Sequence, residues 1–381
     1  MQHSFLNLFD RINDKYGAWL FYIGLFLMIV SYYWFSTSKE MPKDYFIFRN
    51  AIFNISKSLL ILRTLLFASR YPRYVLLCIA IYLILKLSAY LCGWNVITTS
   101  FIIIAASKDT DIKQSLRIYL IAFVLVLLAA PISWSIGWTG EVVKHKYGLI
   151  GHSFGFSNPN TLAALIQMLA VLALCFWNVH KTSVIWIICW ATATLVGLLT
   201  LGITSVFILL LTPVIYYFVK QHPVPAWSLV FLPWFCLLAS FILSCYYGPS
   251  YGETTFESRF SIPALVYQNH GLSLFGQDYG FTSVAKALKT GTHPLCVDNA
   301  YMHLVLCDGI VVALLVYVFL SLLLYRIGKI GQPLLIAYAI LITLSGMMEL
   351  VMLSSIINFL LLYYFHSSPP PSSTVQEVLY P

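Results

Sequence analysis

The chain predicts an all-α, polytopic integral membrane protein, and three observations carry that prediction. Of its 381 residues 60% are hydrophobic and only 9% are charged, whereas an ordinary soluble domain is about a quarter charged. The mean hydropathy is +0.83. The apolar residues gather in runs close to the roughly 20 residues that a helix needs to cross a bilayer. A water-facing surface cannot be built from so few charges, which excludes a soluble enzyme or binding module. The 22 Lys and Arg against 14 Asp and Glu leave a net charge of +8. Basic residues at the ends of spans account for that excess, so it does not imply a nucleic-acid partner.

The runs lie at 17–36, 45–67, 73–92, 94–107, 115–137, 160–179, 183–201, 203–219, 227–247, 300–325, 332–348 and 351–366, which makes about twelve spans. The run at 94–107 is short, and 45–67 carries Arg49, Lys57 and Arg63. The pairs meeting near 200 and 349 have almost no loop between them, which fits re-entrant or broken helices as well as hairpins. No inverted internal repeat of the transporter kind is visible. The first span lacks a small-residue cleavage site and reads as retained. Residues 1–366 form a single transmembrane domain, and 367–381, with Pro-Pro-Pro and serines, reads as a cytoplasmic tail. The eight cysteines show no CxxC or Cys/His ligand spacing and read mostly as small hydrophobes. Neither a metal nor a cofactor is expected.

Orientation follows from the basic residues. With the N-terminus inside, the short cytoplasmic loops hold Arg11, Lys15, Arg70, Arg73, Lys108, Lys113, Arg117, Lys181, Lys220, Arg326 and Lys329. Longer loops on the other side hold Lys39, Lys43, Lys144, Lys146, Arg259, Lys286 and Lys289. This bias places both termini in the cytoplasm. The long hydrophilic segment 248–299, and 138–159 after it in length, then face outward. Chemistry on a polar substrate belongs on that face.

Four groups of residues stand at or near that face. Ser153-Phe154-Gly155-Phe156-Ser157-Asn158-Pro159-Asn160 leads into the sixth span, and its plain reading is a helix entry, with Pro159 in the first turn. Glu257-Ser258-Arg259-Phe260 and then Leu274-Phe275-Gly276-Gln277 lie in the long loop. Asp298-Asn299-Ala300-Tyr301 ends it, with Gly309 eleven residues after Asp298. Glu349 interrupts an apolar run, with Asn358 nine residues on.

In that order and placement the second half of the chain, 150–365, resembles the Wzy-type polysaccharide polymerases. These share a membrane glycosyltransferase superfamily with the O-antigen ligases. The resemblance implies a GT-C-like helical fold in the bacterial inner membrane and a lipid-diphosphate-dependent transferase. Its substrate would be an undecaprenyl-diphosphate-linked oligosaccharide, polymerised at the outer face into O-antigen, capsule or exopolysaccharide. A flippase and a chain-length regulator of the same pathway would be its partners, beside membrane lipid. Ligases end the long loop in His-Asn/Ser/Gln, nine residues, then Gly. Asn299, nine residues and Gly309 keep that spacing, but Asp298 stands at the histidine position, which favours polymerase over ligase. Polymerases also carry an Arg just before the Gly-Phe-x-x-Pro-Asn segment. Here Gly151-His152-Ser153 stands there, with Lys144, His145 and Lys146 upstream, so His152 or one of those lysines takes over an anionic contact.

Such a reaction needs a base for the acceptor hydroxyl and cations for the departing diphosphate. Asp298 is the first candidate base, with a helix N-cap as its plain alternative. Arg259 offers bidentate hydrogen bonds to phosphate oxygens, against a solvated loop arginine. His270 and His293 are second candidates for the base. Asn160, His152, Asn299, Tyr301 and Glu349 are expected to bind substrate, and His303 to pack. An unpaired mid-membrane carboxylate costs about 3 kcal/mol on insertion scales, so Glu349 should have a partner, with Arg63 or Lys57 as candidates. A structural ion pair would serve equally well. The competing classes are an O-antigen-type ligase and a flippase or transporter of lipid-linked oligosaccharide. A 52-residue outer loop argues against a transporter, whose charges would cluster near the midplane.

The topology is testable directly. A cysteine introduced as Ser283→Cys should react with an impermeant thiol reagent in intact cells. Reaction only after lysis would reverse the orientation.

Overall fold

A computed structural model describes residues 12–34, 43–146, 149–156, 158–252, 254–282, 293, 295–354 and 358–365. The expected tail 367–381, Ser157, Ser283, Arg11, Lys39, Lys286 and Lys289 lie outside the described residues. The fold is helical and polytopic. A π-turn, Asn13–Gly17, leads into α1 (Ala18–Trp34), which packs on α2 (Lys43–Leu65). Ser56 donates its hydroxyl across that interface to the Gly24 carbonyl at 2.6 Å. Then come α3 (Pro72–Cys92), α4 (Val96–Ala106) and α5 (Ile112–Ser135). Asp111 caps α5 by accepting from the Lys113 amide.

Residues 143–152 depart from the all-α expectation. Strands β1 (Val143–Lys146) and β2 (Leu149–His152) pair antiparallel, with Val143 opposite His152. The chain continues through α6 (Pro159–Phe176), α7 (Thr182–Thr200), α8 (Ile203–Gln221) and α9 (Leu232–Tyr247). α10 (Thr255–His270) and irregular chain at 271–282 and 295–299 are described parts of the long loop. A short turn (Ala300–His303), α11 (Ile310–Ile330), α12 (Pro333–Ser345) and two 3₁₀ segments (Leu350–Leu353, Phe359–Tyr364) complete it.

Among the described residues nine helices are long and apolar enough to cross a membrane. They fall on nine of the twelve expected runs. The run at 94–107 yields α4, whose 11 residues reach only about 16 Å at 1.5 Å each. The run at 332–348 yields α12, of 13 residues, and 351–366 yields only 3₁₀ pieces. α4 and α12 are buried along nearly their whole length. Helices of this length inside other helices belong to the core, not to the lipid boundary. Non-helical backbone near 350 is tolerable because protein covers it.

The run at 300–325 begins later than its apolar pattern suggests, at Ile310, because Gly309 breaks the helix with φ +95°. The first amides of α11, which have no partners within the helix, are taken up by the long loop. Ile310 and Val311 donate to the carbonyls of Ser273 and Leu274 at 3.0 and 3.1 Å. In return Gln277 donates its amide to the Cys307 carbonyl at 2.9 Å. The Gln277 side chain adds bonds to the carbonyls of Gly271 and Leu306, both at 3.0 Å. The Phe275-Gly276-Gln277 group is thus the clasp that fastens the loop to the head of α11. Beneath it lies a small separate core of Ile262, Val266, Tyr279, Val297, Met302, Leu306 and Cys307.

A Cβ at Gly309 would run into the backbone of Gly276 and Leu274, and φ +95° disfavours any L side chain. At Gly93, which closes α3 with φ +73°, a Cβ meets nothing within 4 Å. Gly309→Ala should therefore cost several kcal/mol, since strain and overpacking contribute roughly 1–3 kcal/mol each. Gly93→Ala should cost about 1 kcal/mol. Thermal unfolding in detergent checks both, and equal losses would contradict the clasp.

Candidate functional site

The site grows from three places where helices start or stop. The first is the head of α10. Thr254 accepts the Glu257 amide on its hydroxyl at 3.1 Å, a Thr-x-x-Glu start that sets Arg259 in the early turns. The second is the end of the long loop, where Asn299 caps the turn Ala300–His303. Its side-chain oxygen accepts from the amides of Tyr301 and Met302, both at 3.1 Å. Its side-chain nitrogen donates to the Ser240 hydroxyl on α9 at 3.0 Å, and the Ala300 amide donates to the Gly346 carbonyl at 2.7 Å. Asp298 stands one residue before this anchor. The third is the end of α12, where a turn at 346–348 leads into Glu349 in extended conformation.

These three ends converge. The Arg259 guanidinium is in direct contact with the Asp298 carboxylate and lies 3.6 Å from Glu349 Oε1. Thr204, just after the break between α7 and α8, donates its hydroxyl to the same Glu349 oxygen at 3.4 Å. The Cys296 thiol donates to Asp298 Oδ1 at 2.9 Å. Burial pushes that thiol up to about 11, so at neutral pH it remains a donor. The Arg259 side chain is 12% exposed, while Glu349 is 23% and Asp298 36% exposed. A shielded cation is thus flanked by two carboxylates, the more open of which is Asp298.

One guanidinium and two carboxylates carry a formal charge of −1. Removing the cation from such a group leaves uncompensated carboxylates, a change that costs about 3–5 kcal/mol when the pair is buried. Partial exposure of Asp298 and Glu349 reduces that figure. The arrangement suits two tasks. A carboxylate edge open to solvent can accept a proton, and the guanidinium beside it can bind phosphate oxygens.

The expected site residues separate into groups. Asp298, Arg259 and Glu349 come together. The partner of Glu349 is Arg259, not Arg63 or Lys57. Arg63 lies over the Phe67 ring and donates to the Lys108 carbonyl at 3.3 Å, and Lys57 lies over the Phe53 ring. Asn299, not Asp298, is the helix cap. Asn299 and Tyr301 are fully buried, with Tyr301 donating its hydroxyl to the Thr343 carbonyl at 2.8 Å. Their polar groups are hydrogen-bonded inside the protein, and Asn299 anchors the chain at the residue that follows Asp298. His152 pairs with Glu141 at 2.7 Å and lies against Phe154. Asn160 lies in the first turn of α6, its amide donating to the Asn158 side chain at 2.9 Å. β2 leans on the same helix break that carries Thr204, with Gly151 packed against the Thr200 carbonyl. His270 is exposed at the far end of α10, about 16 Å along the axis from Arg259. His293 stacks on Tyr251 at 4.3 Å.

Thr204 and Cys296 were not foreseen. The only local signal for Thr204 is the small polar pair Thr204-Ser205 after Gly202, and Cys296 carries none beyond its distance of two residues from Asp298. No family model matches the chain, and no curated protein or solved structure is significantly similar to it.

Proposed function

We propose that this protein is a membrane glycosyltransferase of the Wzy type, joining lipid-diphosphate-linked oligosaccharide units at the outer face of the bacterial inner membrane. The observation that carries this reading is the meeting of Asp298, Arg259 and Glu349 where the long loop joins the spans. In the proposed reaction Asp298 takes the proton of an acceptor hydroxyl. The acceptor oxygen forms its bond to the anomeric carbon of the donor. The bond from that carbon to the diphosphate oxygen breaks, and the lipid diphosphate leaves with the electron pair. Arg259 stabilises the charge that develops there.

The site's own negative charge bears on how an anion enters. Diphosphate oxygens compete with Asp298 for the guanidinium, while Glu349 retains its hold on the other nitrogen and keeps the fork aimed. An Asp298 released in this way loses its cationic neighbour, which raises a carboxylate's basicity. Donor arrival thus prepares the base. The same chemistry applied to a different acceptor would make a ligase. A transporter would move the unit without forming a glycosidic bond.

Arg259→Ala should abolish polymer while the protein stays membrane-inserted, and Arg259→Lys should rescue it poorly, since an ammonium cannot reproduce a bidentate fork. Chain length is read by gel electrophoresis of the glycan. Full-length polymer from Arg259→Lys would remove Arg259 from diphosphate recognition.

A further inference from the structure

Behind Asp298 lies a second acid–base pair. His303, in the turn that Asn299 caps, and Asp308, just before Gly309, are 1% and 2% exposed. His303 Nε2 lies 3.6 Å from Asp308 Oδ2, and neither atom has a hydrogen-bond partner among the described residues. The other ring nitrogen, Nδ1, meets the Val297 carbonyl at 3.1 Å. A carbonyl only accepts, so Nδ1 carries a hydrogen. In a neutral imidazole Nε2 is then a lone pair, and it faces a carboxylate oxygen. Two buried acceptors at that distance repel unless one of them is protonated.

We propose that His303 and Asp308 share one proton, and that this neutral pair is the positioning device holding Asp298 against Arg259. The mechanical link is short. His303 holds the carbonyl of Val297, the residue before Asp298, and Trp94 packs on the ring at 4.3 Å. Asp308 is tied in turn to α3, where Ser88 donates to its backbone carbonyl at 2.8 Å and Cys92 approaches Oδ1 at 3.6 Å. The other titratable groups near the pair are Cys307, Tyr279 on the long loop and Tyr317 on α11. All are thiols or phenols, neutral near pH 7, so among the described residues no fixed charge replaces the proton.

Both groups precede the span Ile310–Ile330. Burial pushes Asp308 up to about 8 and His303 down to about 4, so the shared proton resides on the carboxyl. Up to the ordinary histidine value of 6.5 the unfolded chain also holds one proton on this pair, on the imidazole, so only from there up to about 8 does the folded protein keep a proton that the unfolded chain has lost. Stability therefore falls as pH rises through that window. Above it the folded pair loses its proton too, and the two acceptors are left face to face.

The inference rests on the reading of Asp298 as part of the working site, but its test needs no sugar transfer. The probe is maleimide alkylation of Cys296, which donates to Asp298, followed by peptide mass spectrometry. Asp308→Asn supplies a permanent N–H to Nε2, and His303→Phe removes both bonds. At pH 7 wild type and Asp308→Asn should label equally slowly, with His303→Phe about ten-fold faster, the scale of a local opening. At pH 9.5 wild type should label about ten-fold faster than Asp308→Asn, which cancels the thiol's own titration. Polymer yield should follow the same pattern. Wild type and Asp308→Asn labelling alike at both pH values would overturn the shared proton, whether or not His303→Phe folds. Slow Cys296 labelling in a folded His303→Phe would overturn the positioning role. Normal protection with no polymer from any lipid-linked unit would sink the polymerase reading instead.

Discussion

A guanidinium at the edge of an apolar helical body needs carboxylates beside it, and that need organises one end of this molecule. Arg259 has Asp298 on one side and Glu349 on the other, so three segments far apart in sequence must arrive at one point. Each arrives through a helix end. α10 begins under the Thr254 cap, the turn after Asp298 begins under Asn299, and α12 stops before Glu349. If the start of α10 moved by one residue, Arg259 would turn about 100° away on a helix of 3.6 residues per turn.

The breaks cost backbone hydrogen bonds, and the molecule recovers them from neighbours. Loop carbonyls take the first amides of α11, and the Gly346 carbonyl takes the amide of Ala300. The same economy explains why short α4 and α12 are buried. A charged cluster beside interrupted helices can exist only where other helices exclude lipid, and the long helices provide that wall. The price is a local ensemble of polar groups whose positions depend on one another, from the Gly309 clasp through His303 to Asp298.

Much of this was legible in the residues themselves. Hydropathy located nine helices, and the near-absence of a loop around 349 fitted a broken helix there as well as a hairpin. The cost of an unpaired carboxylate in an apolar run demanded a partner for it. The identity of that partner was not legible, because Arg63, Lys57 and Arg259 are equally cationic in a string of letters. Only the tertiary path of α10 decides between them. Asp298 and Asn299 are both good caps and adjacent, so composition could not choose the one that faces inward. The hairpin at 143–152 was missed because two four-residue strands carry too little alternation to stand out from a loop. The sequence places His303 in packing; its partner Asp308 gave no signal, since the π-helical turn Leu304–Asp308 that brings the two together has no sequence mark.

In the proposed reaction Asp298 accepts the acceptor's proton while Arg259 receives the diphosphate. Asp298→Asn tests it most directly, because Asn299 supplies the cap and the substitution keeps the shape of the side chain. With purified protein at matched level and a defined lipid-linked unit, chain elongation should fall about a hundred- to ten-thousand-fold with thermal stability little changed. Near-normal polymer from Asp298→Asn would contradict the claim and move the base to His152, His270 or His293.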